Sequence, residues 1–193
     1  MARLSMFVFT SLDGYYKGLN EDISWHRHGP EENEFAAESM KGHSTLIFGR
    51  KTYEMMAGYW PTEMAKTNDP IVASGMNHAH KIVFSRTLQE ASWENTKLIK
   101  DDLIQTIKQL KATEENDMTI LGSGSVITQL AAAGLIDHYS IMIDPVVLGK
   151  GTTLFSGMPQ LQNLQLIASR IFNSGCVLLN YVPAETFDKE QFL

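Results

Sequence analysis

Arg50 and Lys51 follow Gly49 at the point where the apolar run Ile47-Phe48 gives way to Thr52-Tyr53-Glu54. A second junction of the same kind reads Ile120-Leu121-Gly122-Ser123-Gly124-Ser125-Val126-Ile127. Each passes from a strand-like stretch, through glycine, into a helix-like stretch. Such a junction leaves backbone N–H groups without intrahelical acceptors, where phosphate is favoured. Glycine lets an anion approach the backbone closely. Two junctions in one chain, the first carrying two cations, point to a ligand with several phosphates, such as a dinucleotide.

Familiar phosphate motifs are only approached. Gly122-Ser123-Gly124 begins a G-x-G-x-x-G pattern, but Ile127 stands at its third glycine, and the turn follows a late strand rather than the first. That argues against a classical Rossmann domain. In Gly149-Lys150-Gly151-Thr152 the glycine expected five residues earlier is Asp144, so the segment reads as a flexible turn. Arg50, Lys51, Ser85 and Arg86 all lie just beyond expected strand ends, the edge where open α/β sheets bind ligands. Arginine and serine there suit a ribose 2′-phosphate. Lys51 taken alone fits a solvated surface charge.

Other chemistry-bearing residues give weaker patterns. His26-x-His28 and His78-x-His80 could chelate on a strand, but both fall in polar loops without a carboxylate spaced beside them, and no metal site is expected. A G-x-S-x-G nucleophile elbow is absent. Asp13 and Glu34 could act as an acid or a substrate anchor; a turn residue and a helix-dipole complement are their plainer roles. Trp25, Tyr53 and Trp60 read as packing residues, with Trp60-Pro61 a possible pocket wall.

The elements that must position these residues follow from punctuation. Leu4 to Thr10 is expected as a buried strand ended by Asp13-Gly14. Pro30 opens a helix with acid in its first turn and Gly42 beyond its end. Thr45 to Phe48 is a strand, and Thr52 to Ala57 a short helix stopped by Gly58. Lys66 to His80 reads as polar and irregular. Lys81 to Ser85 is a strand. Asp101 or Asp102 caps a helix presenting Leu103, Ile104, Ile107 and Leu110. Met118 to Leu121 is a strand, Ser125 begins a helix closed by Gly134, and His138 to Asp144 is a strand ended by Pro145. Leu164 to Phe172 and Cys176 to Val182 form a hairpin around Asn173-Ser174-Gly175. This order implies an α/β fold with a mainly parallel sheet, helices on both faces and an antiparallel end.

The whole chain, 1–193, is read as one domain. Its net charge of −6, without a dense Lys/Arg run, argues against general nucleic-acid binding. The N-terminal apolar run is too short to span a membrane. Cys176 is the only cysteine, so no intrachain disulfide can form, which fits a cytoplasmic protein.

An ordered set of segments then becomes recognisable. Ser11-Leu12-Asp13-Gly14, Phe48-Gly49-Arg50-Lys51-Thr52-Tyr53-Glu54, Trp60-Pro61, Gly122-Ser123-Gly124-Ser125, Gly134-Leu135-Ile136-Asp137 and Pro145-Val146-Val147-Leu148-Gly149-Lys150-Gly151 together resemble the dihydrofolate-reductase-like family. Within it, the chain resembles the C-terminal reductase domain of bacterial riboflavin biosynthesis and its stand-alone relatives. The resemblance runs from Arg3 to Val182. It implies a three-layer fold on a twisted sheet of about eight strands, with NADPH across its C-terminal edge.

By that resemblance Gly49, Arg50, Lys51 and Thr52 bind around the 2′-phosphate and pyrophosphate, and Ser85 and Arg86 flank the adenine ribose. Gly122, Ser123, Gly124, Ser125, Val126 and Ile127 cradle the pyrophosphate toward the nicotinamide. Thr10, Ser11 and Asp13 sit near nicotinamide and substrate. Asp13 is the first choice for the catalytic and substrate contact, Glu34 the second, with Trp60 on the substrate wall. The chain departs from dihydrofolate reductases in carrying Gly122-Ser123 for a glycine pair, Asn33-Glu34 near the substrate carboxylate and Ile141 near its supporting threonine. The expectation is a homodimeric NADPH-dependent reductase of a small pyrimidine- or pteridine-type heterocycle, similar to 5-amino-6-(5-phosphoribosylamino)uracil reductase. A non-catalytic NADPH-binding protein is the alternative.

Overall fold

The computed structural model describes residues 1–184; residues 185–193 of the expected single domain lie outside the described ones. In chain order the strands are β1 (Leu4–Ser11), β2 (Tyr15–Lys17), β3 (Thr45–Gly49), β4 (Lys81–Phe84), β5 (Thr96–Ile99), β6 (Met118–Leu121), β7 (His138–Asp144), β8 (Thr152–Thr153), β9 (Leu164–Ile171) and β10 (Val177–Pro183). The helices are α1 (Pro30–Ser39), α2 (Arg50–Tyr59), α3 (Glu63–Asn68), α4 (Pro70–His78), α5 (Leu103–Thr113) and α6 (Gly124–Ala132), with a 3₁₀ turn at Leu19–Glu21.

Eight strands form one sheet in the order β5-β4-β3-β6-β1-β7-β10-β9. The pairings from β5 through to β7 are parallel, while β10 runs antiparallel to both β7 and β9. Strands β2 and β8 pair separately. This is the expected α/β architecture, with its antiparallel hairpin at the C-terminal end.

Alternation along the strands sorts the core onto two faces. Leu4, Met6 and Val8 of β1 join Ile47, Met118, Ile120, Ile107 of α5 and Ile127 and Leu130 of α6. The intervening Phe7 and Phe9 turn the other way, beside Phe35 of α1, Met142 and Phe172. Leu46 and Phe48 of β3 share that second side with Tyr53 of α2 and Val72 and Met76 of α4.

Several expectations need correction. Lys66 to His80 is mostly helical. The Thr62 side chain accepts from Ala65 N–H to cap α3, Pro70 starts α4, and Val72, Ala73 and Met76 are buried at helical spacing. Small and polar residues, Ser74, Gly75, Asn77 and His78, break up the buried run in so short a helix. Helix α2 runs through Gly58 to Tyr59 instead of stopping there. The four-residue β5 was not anticipated; it pairs only with β4, and a short edge strand carries little periodicity.

Lys81 opens β4 with its ammonium buried beneath the end of α4. It donates to the carbonyls of Met76, Asn77 and Ala79 at 2.9, 3.0 and 2.7 Å. A cation there meets the negative end of the helix dipole. Burial pushes its pKa down to about 8.

Candidate active site

The neighbouring strands β3 and β6 deliver two helix N-termini to the same edge of the sheet. At the first, Gly49 ends β3 and Arg50 begins α2, with no side-chain cap bond. At the second, Gly122 and Ser123 take left-handed φ values of 54° and 57° before α6 begins at Gly124, again without a side-chain cap bond. Ser123 ties the two starts together. Its Oγ accepts Gly49 N–H at 2.9 Å and donates to Leu121 C=O at 3.0 Å, while its own N–H reaches Thr52 Oγ1 at 3.2 Å. Two uncapped helix starts side by side hold backbone donors ready for an anion.

Both starts open into a cavity of about 1760 Å³ that continues along the sheet face toward α1. Gly49, Arg50, Lys51, Thr52, Gly122, Ser123, Gly124 and Ser125 line it. Arg50 pairs with Glu54 at 2.9 Å. Lys51 and Lys17 both reach Glu21 at 2.8 Å. Those two hydrogen bonds hold the Glu21 carboxyl below its ordinary range. Tyr16 lies on the start of α6: a Cβ on Gly124 would stand 2.5 Å from its ring. Gly124 thus makes room for an aromatic side chain in addition to any ligand.

The far half of the cavity is aromatic and imidazole-rich, with Trp25, His26, Phe35, Tyr59 and Trp60 on its wall. His26 stacks on Phe9 with ring centroids 3.4 Å apart, and its Nδ1 lies 2.8 Å from Asp144 Oδ2. His28 stands edge-on to His26 at 4.4 Å. Its pKa is pushed down, first by burial and then by His26. Glu32 is 6% exposed and accepts the Ser174 hydroxyl.

The remaining expected residues lie elsewhere. Asp13 is exposed and off the cavity wall. Its carboxylate accepts Ser11 Oγ–H at 2.6 Å and the N–H groups of Leu148 and Gly149 at 3.1 and 2.8 Å. The Ser11 hydrogen bond is the main reason its pKa is lowered. Asp13 therefore clamps the turn after β7, and that turn is tied down where the sequence suggested flexibility. Thr10 and Ser11 are buried, as are Val126 and Ile127 in the core. Glu34 is exposed and does not line the cavity, whereas Glu32, half a turn earlier, does. Ser85 Oγ accepts the N–H groups of Thr87 and Leu88, and Arg86 is exposed; neither lines the cavity.

Residues 2–178 match the RibD C-terminal domain. The chain belongs to that family. It is a family of reductases whose members use NAD(P)H. The chain is 28% identical over 179 residues to YyaP of Bacillus subtilis, an uncharacterized protein, covering 93% of this chain and 94% of the other. In structure it is similar to a putative riboflavin biosynthesis protein from Shewanella sp. PV-4, with a TM-score of 0.73 at 22% identity, covering 96% of this chain and all of that one. It is also similar to dihydrofolate reductase from Enterococcus faecalis complexed with NADP(H), with a TM-score of 0.63 at 17% identity, covering 95% and 97%. These two structural likenesses establish the dihydrofolate-reductase-like fold. Among the described residues, no helix is long and apolar enough to cross a membrane.

The sequence did not single out His26–Asp144 as a pair. Its members are 118 residues apart, and the histidine sits in a loop. The available signal was an aspartate at the end of an apolar strand, directly before Pro145.

Proposed function

We propose that the chain is an NADPH-dependent reductase of a small, planar nitrogen heterocycle of pyrimidine or pteridine type, similar to the substrate of 5-amino-6-(5-phosphoribosylamino)uracil reductase. One observation carries the reading: two uncapped helix N-termini, joined through Ser123, open into the same cavity as the aromatic wall. A dinucleotide suits that combination because it joins a pyrophosphate to a planar redox ring. The N–H groups at the starts of α2 and α6 would hold the pyrophosphate, each helix end contributing roughly 0.3–1 kcal/mol. Arg50 would turn from Glu54 to the 2′-phosphate, an exchange made feasible by the small worth of an exposed ion pair. Bound NADPH would supply a hydride. Trp60, Tyr59 and Phe35 would hold the heterocycle flat and exclude water from the reacting faces.

A homodimer accompanies this reading. The edge strand β9 leaves Leu166, Ile167 and Ile171 50%, 52% and 78% exposed, and an apolar sheet edge is usually covered.

The test is direct. NADPH should quench the fluorescence of Trp25 and Trp60, which line the cavity. A panel of pyrimidines and pteridines should then reveal substrate-dependent loss of reduced-nicotinamide absorbance. Tight NADPH binding without turnover across the panel would favour a non-catalytic binder. Lack of NADPH binding would refute the proposal.

A further inference from the structure

The His26–Asp144 pair is built as acid–base groups are built. Asp144 is fully buried at the end of β7. A buried carboxylate is costly unless donors converge on it. Here Arg27 N–H reaches Oδ1 at 2.8 Å, Cys176 Sγ lies 3.5 Å from the same oxygen, and His26 Nδ1 lies 2.8 Å from Oδ2. A carboxylate oxygen only accepts, so the His26–Asp144 contact assigns a proton to Nδ1. The Phe9 and His28 rings fix the plane of the imidazole.

The other ring nitrogen is free for chemistry. Among the described residues Nε2 has no hydrogen-bond partner, yet no polar side-chain atom is both sealed from solvent and unpaired. His26 lines the cavity with its side chain 5% exposed. Other titratable groups stand close by. His28 packs on His26 from the same loop and Cys176 meets Asp144 from the turn before β10, while Glu32 of α1 and Asp69, at the joint between α3 and α4, act on His28. Glu32 is engaged by Ser174, and the Arg27 guanidinium is turned away to the Ser174 carbonyl at 3.0 Å.

Resting on the reductase reading above, we infer that His26 is the catalytic acid and Asp144 the residue that positions it, for substrates presenting a C=N bond to the aromatic half of the cavity. The step balances as follows. The carbon of the C=N bond accepts the hydride supplied by the nicotinamide. The π pair moves to nitrogen, which takes the proton from Nε2 of the His26 imidazolium. The ring is left neutral, with Nδ1–H still bonded to Asp144, and recovers its proton from solvent. The substrate gains a C–H and an N–H bond, and the nicotinamide is oxidised.

The test separates this role from a structural one. In His26→Asn the side-chain amide can keep a hydrogen bond to Asp144 but offers no acid. A structural histidine would tolerate the change. We expect kcat to fall by about 100-fold or more, NADPH affinity and KM to stay within about threefold, and added imidazole to restore part of the rate in His26→Ala. A second readout needs no turnover: at alkaline pH, where imidazole is neutral, ¹⁵N shifts should show one tautomer with Nδ1–H in the unmodified protein and a mixture in Asp144→Asn. Retention of kcat and of its pH profile in His26→Asn, or a tautomer indifferent to Asp144, would overturn the inference alone. Absence of NADPH binding in the unmodified chain would overturn the reductase reading and this inference with it.

Discussion

Removing one hydroxyl at the joint between the two helix starts should separate stability from cofactor binding. Ser123→Ala deletes the acceptor of Gly49 N–H and the donor to Leu121 C=O. At ~1 kcal/mol for each neutral hydrogen bond, the loss is ~2 kcal/mol. Alanine also keeps a Cβ at φ 57°, a left-handed conformation that costs a residue with a side chain about 1 kcal/mol. Ser123→Gly loses the same bonds but sheds that strain, for a net loss of ~1 kcal/mol. In a domain of this size 1 kcal/mol moves Tm by about 2–4 °C. Thermal melting followed by circular dichroism should therefore rank unmodified protein first, Ser123→Gly next and Ser123→Ala last, in steps of roughly that size. Cofactor affinity should rank differently. Both variants lose the bond that fixes Gly49 N–H between the two starts, so both should bind NADPH about tenfold more weakly, equivalent to ~1.4 kcal/mol. If Ser123→Ala melts with the unmodified protein, or Ser123→Gly melts below Ser123→Ala, the joint does not hold the site together.

Other expected outcomes follow from particular groups. Arg50→Ala should lower NADPH affinity by about tenfold, as for the loss of a charge-assisted hydrogen bond, and leave NADH binding unchanged, with Arg86→Ala having less effect; calorimetry showing equal losses for both cofactors would remove Arg50 from the 2′-phosphate site. Asp13→Ala should speed hydrogen exchange at the Leu148 and Gly149 amides, and unchanged exchange would show that the carboxylate is no clamp. Because the Asp13 pKa is lowered from 3.8, its contribution should be present above that value in the unmodified chain and be lost as pH falls through the folded-state pKa. Lys81 titrates at about 8 in the fold against 10.5 in the unfolded chain, so the unfolded chain binds the extra proton between those values and stability should rise with pH across them; equal pH dependence of the denaturant midpoint in Lys81→Met would refute this. Ile167→Asp combined with Ile171→Asp should give a monomer by light scattering, and a concentration-independent monomer mass for the unmodified chain would refute the dimer.

The fold was legible where local chemistry and global position agree. Pro30 starts α1 and Asp102 caps α5 through its bond to Gln105 N–H. The long apolar runs became the central strands. Helix α4 was not legible, because Pro70, Ser74, Asn77 and His78 dilute an apolar face of Val72, Ala73 and Met76. At the site, glycine followed by a helix-like run identified both N-termini, since that signal is local. Distinguishing Glu32 from Glu34 was beyond reach: they stand on opposite faces of a helix with little amphipathic contrast, and only the fold shows that Glu32 is the one turned inward to Ser174. The His26–Asp144 pair depends on a loop folding back onto the end of a strand, and no spacing within the sequence records that contact.

Glu21 gives the cavity its own counter-ion. It is shared between Lys17 and Lys51, leaving one net positive charge, from a segment in which Asn20 and Glu21 both hold left-handed backbone, at φ 56° and 65°. A polyanion entering beside Lys51 therefore exchanges with a tethered carboxylate instead of dissolved chloride. Fewer small ions return to solvent on binding, so affinity should depend on salt more weakly than the number of cations around the entrance suggests. The exchanged carboxylate cannot diffuse away. It stays on the chain at Glu21, so the carboxylate that leaves Lys51 remains beside the entering anion.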